Sequence, residues 1–156
     1  MAQHVRLRVR ILVKAFPQPS KKHEETVCCA GITEDGQQLL RLFPIRFRRL
    51  PKEQQFERFD LVEMLATKAS DPRPESYRVD EASIQLIEKA STLTDEAKVR
   101  LWQPFIAPSL KALHDENRTT SRSLGTMTSH MRTFIVIGLL RSAFDPQELA
   151  KQGQLF

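Results

Sequence analysis

Val5-Arg6-Leu7-Arg8-Val9-Arg10-Ile11 alternates apolar and cationic positions without a break. A half-buried strand needs that period of two, whereas a helix would scatter the apolar side chains around its axis. The pattern predicts Val5, Leu7, Val9 and Ile11 facing a core. Arg6, Arg8 and Arg10 then line the opposite face about 6.7 Å apart, at about 3.3 Å per residue, close to the step between phosphates of an extended strand. Phe16-Pro17-Gln18-Pro19-Ser20 ends the strand, and Lys21-Lys22-His23 follows as a basic loop.

Two further apolar runs, Thr26 to Thr33 and Gln38 to Phe43, flank Glu34-Asp35-Gly36-Gln37. Its Asp-Gly pair suits the positive φ of a hairpin turn. At Phe43-Pro44 the ladder should stop or become an edge, because proline has no N–H to donate. Around it Arg41, Arg46, Arg48 and Arg49 are interleaved with Phe43, Ile45 and Phe47, which predicts a buried apolar row holding a cationic one toward solvent.

Downstream, Pro51 to Phe56 reads as one short helical turn, and Leu61 to Ala66 as a central strand. Asp71-Pro72-Arg73-Pro74-Glu75-Ser76-Tyr77 is a rigid loop, since each proline biases its predecessor toward extended geometry. It serves either as a crossover or as a recognition loop presenting Arg73 and Tyr77. Ser83 to Ile87 is the next strand. The period then changes. Thr94 caps a helix carrying Val99 and Trp102, with Trp102 a core anchor; Pro104 ends or kinks it, and Pro108 to Leu113 restarts a second. Polar Glu116 to Ser123 reads as a flexible loop, and Phe134 to Leu140 as a buried closing strand. The order predicts an α+β fold: a curled, mostly antiparallel sheet or small partly closed β-barrel that joins its first and last strands, with a helical insertion at about residues 93–115. Residues 1–140 form a single domain and 141–156 a C-terminal tail.

Composition adds chiefly an uneven charge. Of 156 residues, the first 50 carry ten Lys and Arg against four Asp and Glu, and the remainder fourteen against fifteen, so the net +5 originates in the first third. Such asymmetry favours a nucleic-acid or acidic-partner face; a solvated sheet face is the competing account. No run approaches the roughly 20 apolar residues of a membrane span, and the basic N-terminus is no secretory signal. The expectation is a cytoplasmic protein. Adjacent Cys28 and Cys29 point to opposite faces of a strand and cannot chelate one ion. The histidines lack metal-ligand spacing. Neither a metal nor another cofactor is expected.

The phrases Arg41-Leu42-Phe43-Pro44-Ile45-Arg46-Phe47-Arg48 and Asp71-Pro72-Arg73-Pro74-Glu75-Ser76-Tyr77, preceded by Glu25-Thr26-Val27-Cys28 and Ala30-Gly31-Ile32, resemble an uncharacterised bacterial family over roughly residues 11–80. The resemblance implies a shared domain and transfers no catalytic residue. The terminal Gln152-Gly153-Gln154-Leu155-Phe156 is similar to the pentapeptides that dock bacterial proteins on the sliding clamp. Gln152, Leu155 and Phe156 match, and Gly153 stands where leucine is usual. This second likeness implies a partner-binding tail.

Together these features predict a non-catalytic nucleic-acid-binding module within a bacterial DNA or RNA transaction or defence assembly. Arg6, Arg8, Arg10, Lys21, Lys22, Arg41, Arg46, Arg48, Arg49 and Arg73 are the expected phosphate contacts, since guanidinium forks match paired phosphate oxygens. The alternative is a protein–protein adaptor that docks an acidic partner, or the clamp through its tail. An enzyme such as a nuclease is disfavoured. There is no glycine-rich phosphate loop, and Asp60 and Glu63 sit an odd number apart, on opposite faces of a strand.

Overall fold

The alternating N-terminal stretch forms β1 (His4–Lys14) in the computed structural model, which describes residues 4–15, 18–20, 24–128 and 133–137. The remaining strands are β2 (Gln18–Ser20), β3 (Glu24–Thr33), β4 (Leu39–Ile45), β5 (Leu61–Lys68), β6 (Ser76–Val79), β7 (Gln85–Glu88), β8 (Leu124–Thr128) and β9 (Thr133–Ile137). Two helices, α1 (Asp95–Trp102) and α2 (Leu110–Thr120), lie between β7 and β8.

Five strands close a small mixed barrel in the order β1-β3-β4-β6-β5, with β5 returning to β1. All of these pairings are antiparallel except β4 with β6, which run parallel. β7 extends the sheet beside β5, and β2 pairs with β3. Closure therefore differs from the sequence expectation. β1 meets β5 over seven residue pairs, from His4 opposite Thr67 to Arg10 opposite Leu61, whereas β9 pairs with β8 in a separate two-stranded sheet. β5 is long enough to match β1 and apolar on one face, so the nearer strand completes the barrel.

Alternation places Val9 and Ile11 inside with Val27, Cys29, Leu40, Leu42, Val62 and Met64. Phe56 plugs one end and is packed edge-to-face on Phe47, ring centres 5.2 Å apart. Each fully buried aliphatic side chain of this kind contributes about 1.5–3 kcal/mol. Alternation sends adjacent Ile11 and Leu12 into different clusters, both at zero exposure, and a bulge between Ile11 and Val13 then breaks it, so that Val13 packs on the same cluster as Leu12. Leu12 joins Ala30, Ile32, Leu39 and Leu124 on the outer surface, beneath Trp102 and Phe105 of the helical insertion. Gly31 is required where β1 and β3 approach: a Cβ there would lie 2.4 Å from Val9 Cγ1 and 2.7 Å from the Arg10 carbonyl oxygen.

Several local expectations are corrected. β4 does not stop at the cis Phe43–Pro44 peptide but resumes its ladder at Ile45 opposite Val27. An irregularity between Val27 and Cys29 absorbs the extra residue, so the proline's missing donor interrupts the pairing only locally. Ser76 and Tyr77 belong to β6 rather than to the proline-rich loop. The predicted loop from Glu116 is instead the second half of α2, which Ser109 caps through its hydroxyl at 3.1 Å from the Ala112 N–H. Leu113 anchors that helix and Lys111 pairs with Asp115 at 2.6 Å, so its polar residues form a solvated face. The insertion runs to Thr120, not 115. Thr94 does cap α1.

The hairpin turn is as expected at Gly36, whose φ is +73°. Asp35 Oδ1 accepts from the Thr33 hydroxyl at 2.5 Å and the Gln37 N–H at 3.0 Å. Those two bonds hold its carboxyl below the usual carboxylate range. Among the described residues no helix is long and apolar enough to cross a membrane.

Candidate nucleic-acid interface

The three β1 arginines share the outer face, as alternation requires, but each meets a carboxylate. Glu63, directly across the ladder from Arg8, lies 2.8 Å from Arg6 Nη1 and 3.8 Å from Arg8 Nε. Arg8 also reaches Glu34 at 2.9 Å. Arg10 is the most committed. Its side chain is only 11% exposed and donates to Glu88 at 3.1 Å and to the Phe59 carbonyl at 3.2 Å. The Arg10 hydrogen bond, aided by the Thr92 hydroxyl at 2.6 Å, pulls the Glu88 carboxyl below its ordinary pKa. Arg10 therefore ties β1 to the loop before β5 and to β7. The row faces outward as alternation predicts, but each of its guanidinium groups is paired with a carboxylate of the same chain.

Arg46 is held similarly. Its Nε and Nη2 donate to Glu81 Oε2 at 2.9 and 2.7 Å, and its backbone N–H donates to the other oxygen of the same carboxylate. Two guanidinium donors thus share one carboxylate oxygen while the backbone N–H takes the other, a charge-assisted contact made within the chain. Arg48 and Arg49 are exposed in the short 3-10 turn that follows β4. Arg73 is half-buried, its backbone N–H bonded to Asp71 at 2.9 Å. Nearby Glu75 is 3% exposed and accepts from the Ser123 N–H at 2.6 Å and hydroxyl at 2.8 Å. The proline-rich loop is thereby fastened to the start of β8, which favours its crossover role. Lys21, Lys22, Gln152, Leu155 and Phe156 lie outside the described residues.

A different cationic surface emerges from register. Phe43 stands opposite Arg78 in the β4–β6 ladder, Arg78 opposite Thr67 in β6–β5, and Thr67 opposite His4 in β5–β1. Directly opposed residues share a face. Because Tyr77 and Met64 pack with the interior cluster, this four-residue row lies on the barrel's outer surface. Arg41, two positions before Phe43 and thus on the same face, holds its guanidinium 4.8 Å from the Phe43 ring centre. Its Nη2 lies 3.6 Å from Cys28 Sγ. The row itself contains no acidic residue, and among the described residues neither Arg41 nor Arg78 pairs with a carboxylate. Exposed Lys68, at the end of β5, lies 4.5 Å from the Tyr77 ring centre and donates to the Pro74 carbonyl.

Arg41 was among the sequence candidates; Arg78, Lys68 and the role of Phe43 were not. The alternation of Ser76, Tyr77, Arg78 and Val79 carried the signal, but the preceding prolines hid it by making the whole stretch look like loop.

Asp60 is 4% exposed and accepts from the Glu57 and Ala90 N–H groups, both at 2.7 Å. Cys29 is enclosed in the barrel, and burial, with Cys28 as a smaller influence, pushes its thiol up to about 12. Among the described residues no three His, Cys, Asp or Glu side chains converge as a metal site would need. A cleft of about 270 Å³ between the helical insertion and β8 is lined by Leu39, Phe105, Leu113 and Leu124 together with Glu116 and Arg122.

Residues 5–104 match the family described as a domain of unknown function (DUF8758), and the chain belongs to that family. The match spans the five barrel strands apart from the first residue of β1, together with β7 and α1. Neither a curated protein nor a solved structure matches the chain.

Proposed function

For this member of the DUF8758 family we propose a nucleic-acid-binding role without catalysis, in which the outer surface of β4, β6 and β5 takes the phosphate backbone. The observation that carries it is the Phe43–Arg78–Thr67–His4 row with Arg41 beside it, cationic and without an acid of its own. Guanidinium groups without an internal carboxylate retain their forked donors for phosphate oxygens. Lys68, Arg73, Arg48 and Arg49, with Lys21 and Lys22, are proposed as peripheral contacts. Arg6 and Arg8 join only by exchanging Glu63 and Glu34 for phosphate, which weak surface ion pairs permit. The proposed setting, a bacterial DNA or RNA transaction or defence assembly, draws its support from the sequence resemblance.

Fluorescence anisotropy with labelled DNA and RNA oligonucleotides across a salt series tests this reading. Affinity should fall steeply with salt, with a log–log slope of about −1.4 if two phosphates of a single strand are neutralised. Arg41→Ala combined with Arg78→Ala should weaken binding about tenfold or more. An absence of binding at low salt, or an unchanged affinity in that double variant, would reject the assignment.

A further inference from the structure

The outer row is more than a cluster of positive charge, because its centre is an aromatic ring. Phe43 is half-buried on the barrel surface, with Arg41 stacked over it at 4.8 Å and Arg78 immediately across the ladder. A duplex offers phosphates and, in its grooves, the edges of its bases, whose faces are stacked on each other inside the helix. An unpaired strand offers the faces of its bases as well, and both aromatic rings and guanidinium planes accept a base by stacking.

Building on the nucleic-acid reading above, we propose that the Phe43–Arg41 pair is a stacking platform for one unpaired base, which makes single-stranded nucleic acid the preferred ligand. The strand crosses the barrel along the row. Arg78 takes a phosphate beside the stacked base, Thr67 offers a hydroxyl, and His4 marks the far end, three strand spacings or about 14 Å from Phe43. Contact is made through a π face and phosphates, so it discriminates strandedness far more than sequence. The ring is positioned by its place in the ladder: Leu42 beside it is fully buried in the barrel, which holds Phe43 outward.

The experiment compares a labelled 20-nucleotide oligo(dT) with a 20-base-pair mixed-sequence duplex, using the full chain. The wild type should prefer the single strand by about fivefold or more. Phe43→Leu should remove that preference by weakening oligo(dT) about fivefold more than it weakens the duplex, whereas Phe43→Tyr should retain it. In Phe43→Trp, oligo(dT) should quench emission beyond any change seen in the wild type, whose only tryptophan is Trp102; this readout also serves if Phe43→Leu does not fold. Equal affinity for both polymers, an unaffected Phe43→Leu, or an unquenched Phe43→Trp overturns the platform. If the Arg41→Ala and Arg78→Ala double variant still loses affinity for both polymers, the broader phosphate-binding role stands without it. Failure of the wild type to bind either polymer overturns both.

Discussion

Glu63 stands directly opposite Arg8 across the β1–β5 ladder and bridges it to Arg6. One carboxylate thus compensates two of the three guanidinium groups that alternation lines up on β1. Glu63 is largely covered at 20% side-chain exposure, while Arg6 remains 70% exposed. Removing the carboxylate should therefore alter the surface more than the fold. Glu63→Gln is expected to change stability by less than about 1 kcal/mol in urea denaturation. It should raise affinity for oligonucleotides about two- to fivefold in anisotropy, by releasing Arg6 and Arg8 for phosphate.

The Arg46–Glu81 contact should behave differently, because Glu81 also accepts the Arg46 backbone N–H. Glu81→Ala removes the acceptor of a backbone N–H and of two guanidinium donors at once. A loss of about 1–3 kcal/mol is expected from equilibrium unfolding, larger than for Glu63→Gln.

Acid should weaken the tie between Arg10 and Glu88. The folded-state pKa of Glu88 lies below its ordinary value, first through the Arg10 hydrogen bond. Its contribution to stability is therefore complete above the unfolded carboxyl pKa and disappears as pH falls through the depressed folded value. Urea midpoints of the wild type and Glu88→Gln should differ at about pH 6 and draw together as the pH falls below the ordinary carboxylate range.

Gly31 lies where β1 leaves no room for a side chain. In Gly31→Ala the Arg10 carbonyl cannot move without disturbing the ladder, so a loss of about 1–3 kcal/mol or more is expected in thermal or urea unfolding. At Gly36 nothing lies within 4 Å of an added Cβ, and only the φ of +73° opposes it. Gly36→Ala should cost about 1 kcal/mol.

The adjacent thiols should react unequally. Cys28 is half-buried beside Arg41, whereas Cys29 is fully enclosed with its pKa pushed up to about 12. Iodoacetamide should alkylate Cys28 alone in the native protein and both cysteines after denaturation, read by peptide mass spectrometry.

What was legible in the sequence was local. The period of two around Arg6, Arg8 and Arg10, the Asp35-Gly36 turn and the Thr94 cap are short-range devices, each specifying its element from a few neighbouring residues. They were enough for an α+β barrel with a helical insertion. Context outranks local signal in two places: the second half of α2, from Glu116, is too polar to be read as helix by itself and is held by Leu113 and the Ser109 cap, and β6 is concealed behind two prolines.

Which strands would meet, and which charges would meet, was left to the tertiary fold. The excess positive charge of the first 50 residues is real along the chain. In space, however, Glu63, Glu81 and Glu88 arrive from the later part to pair with Arg6, Arg8, Arg46 and Arg10. Coulombic attraction acts across a few ångströms whatever the sequence separation. The β1–β5 closure and the parallel β4–β6 pairing therefore decided which arginines are compensated and which, Arg41 and Arg78, surround Phe43 without a carboxylate.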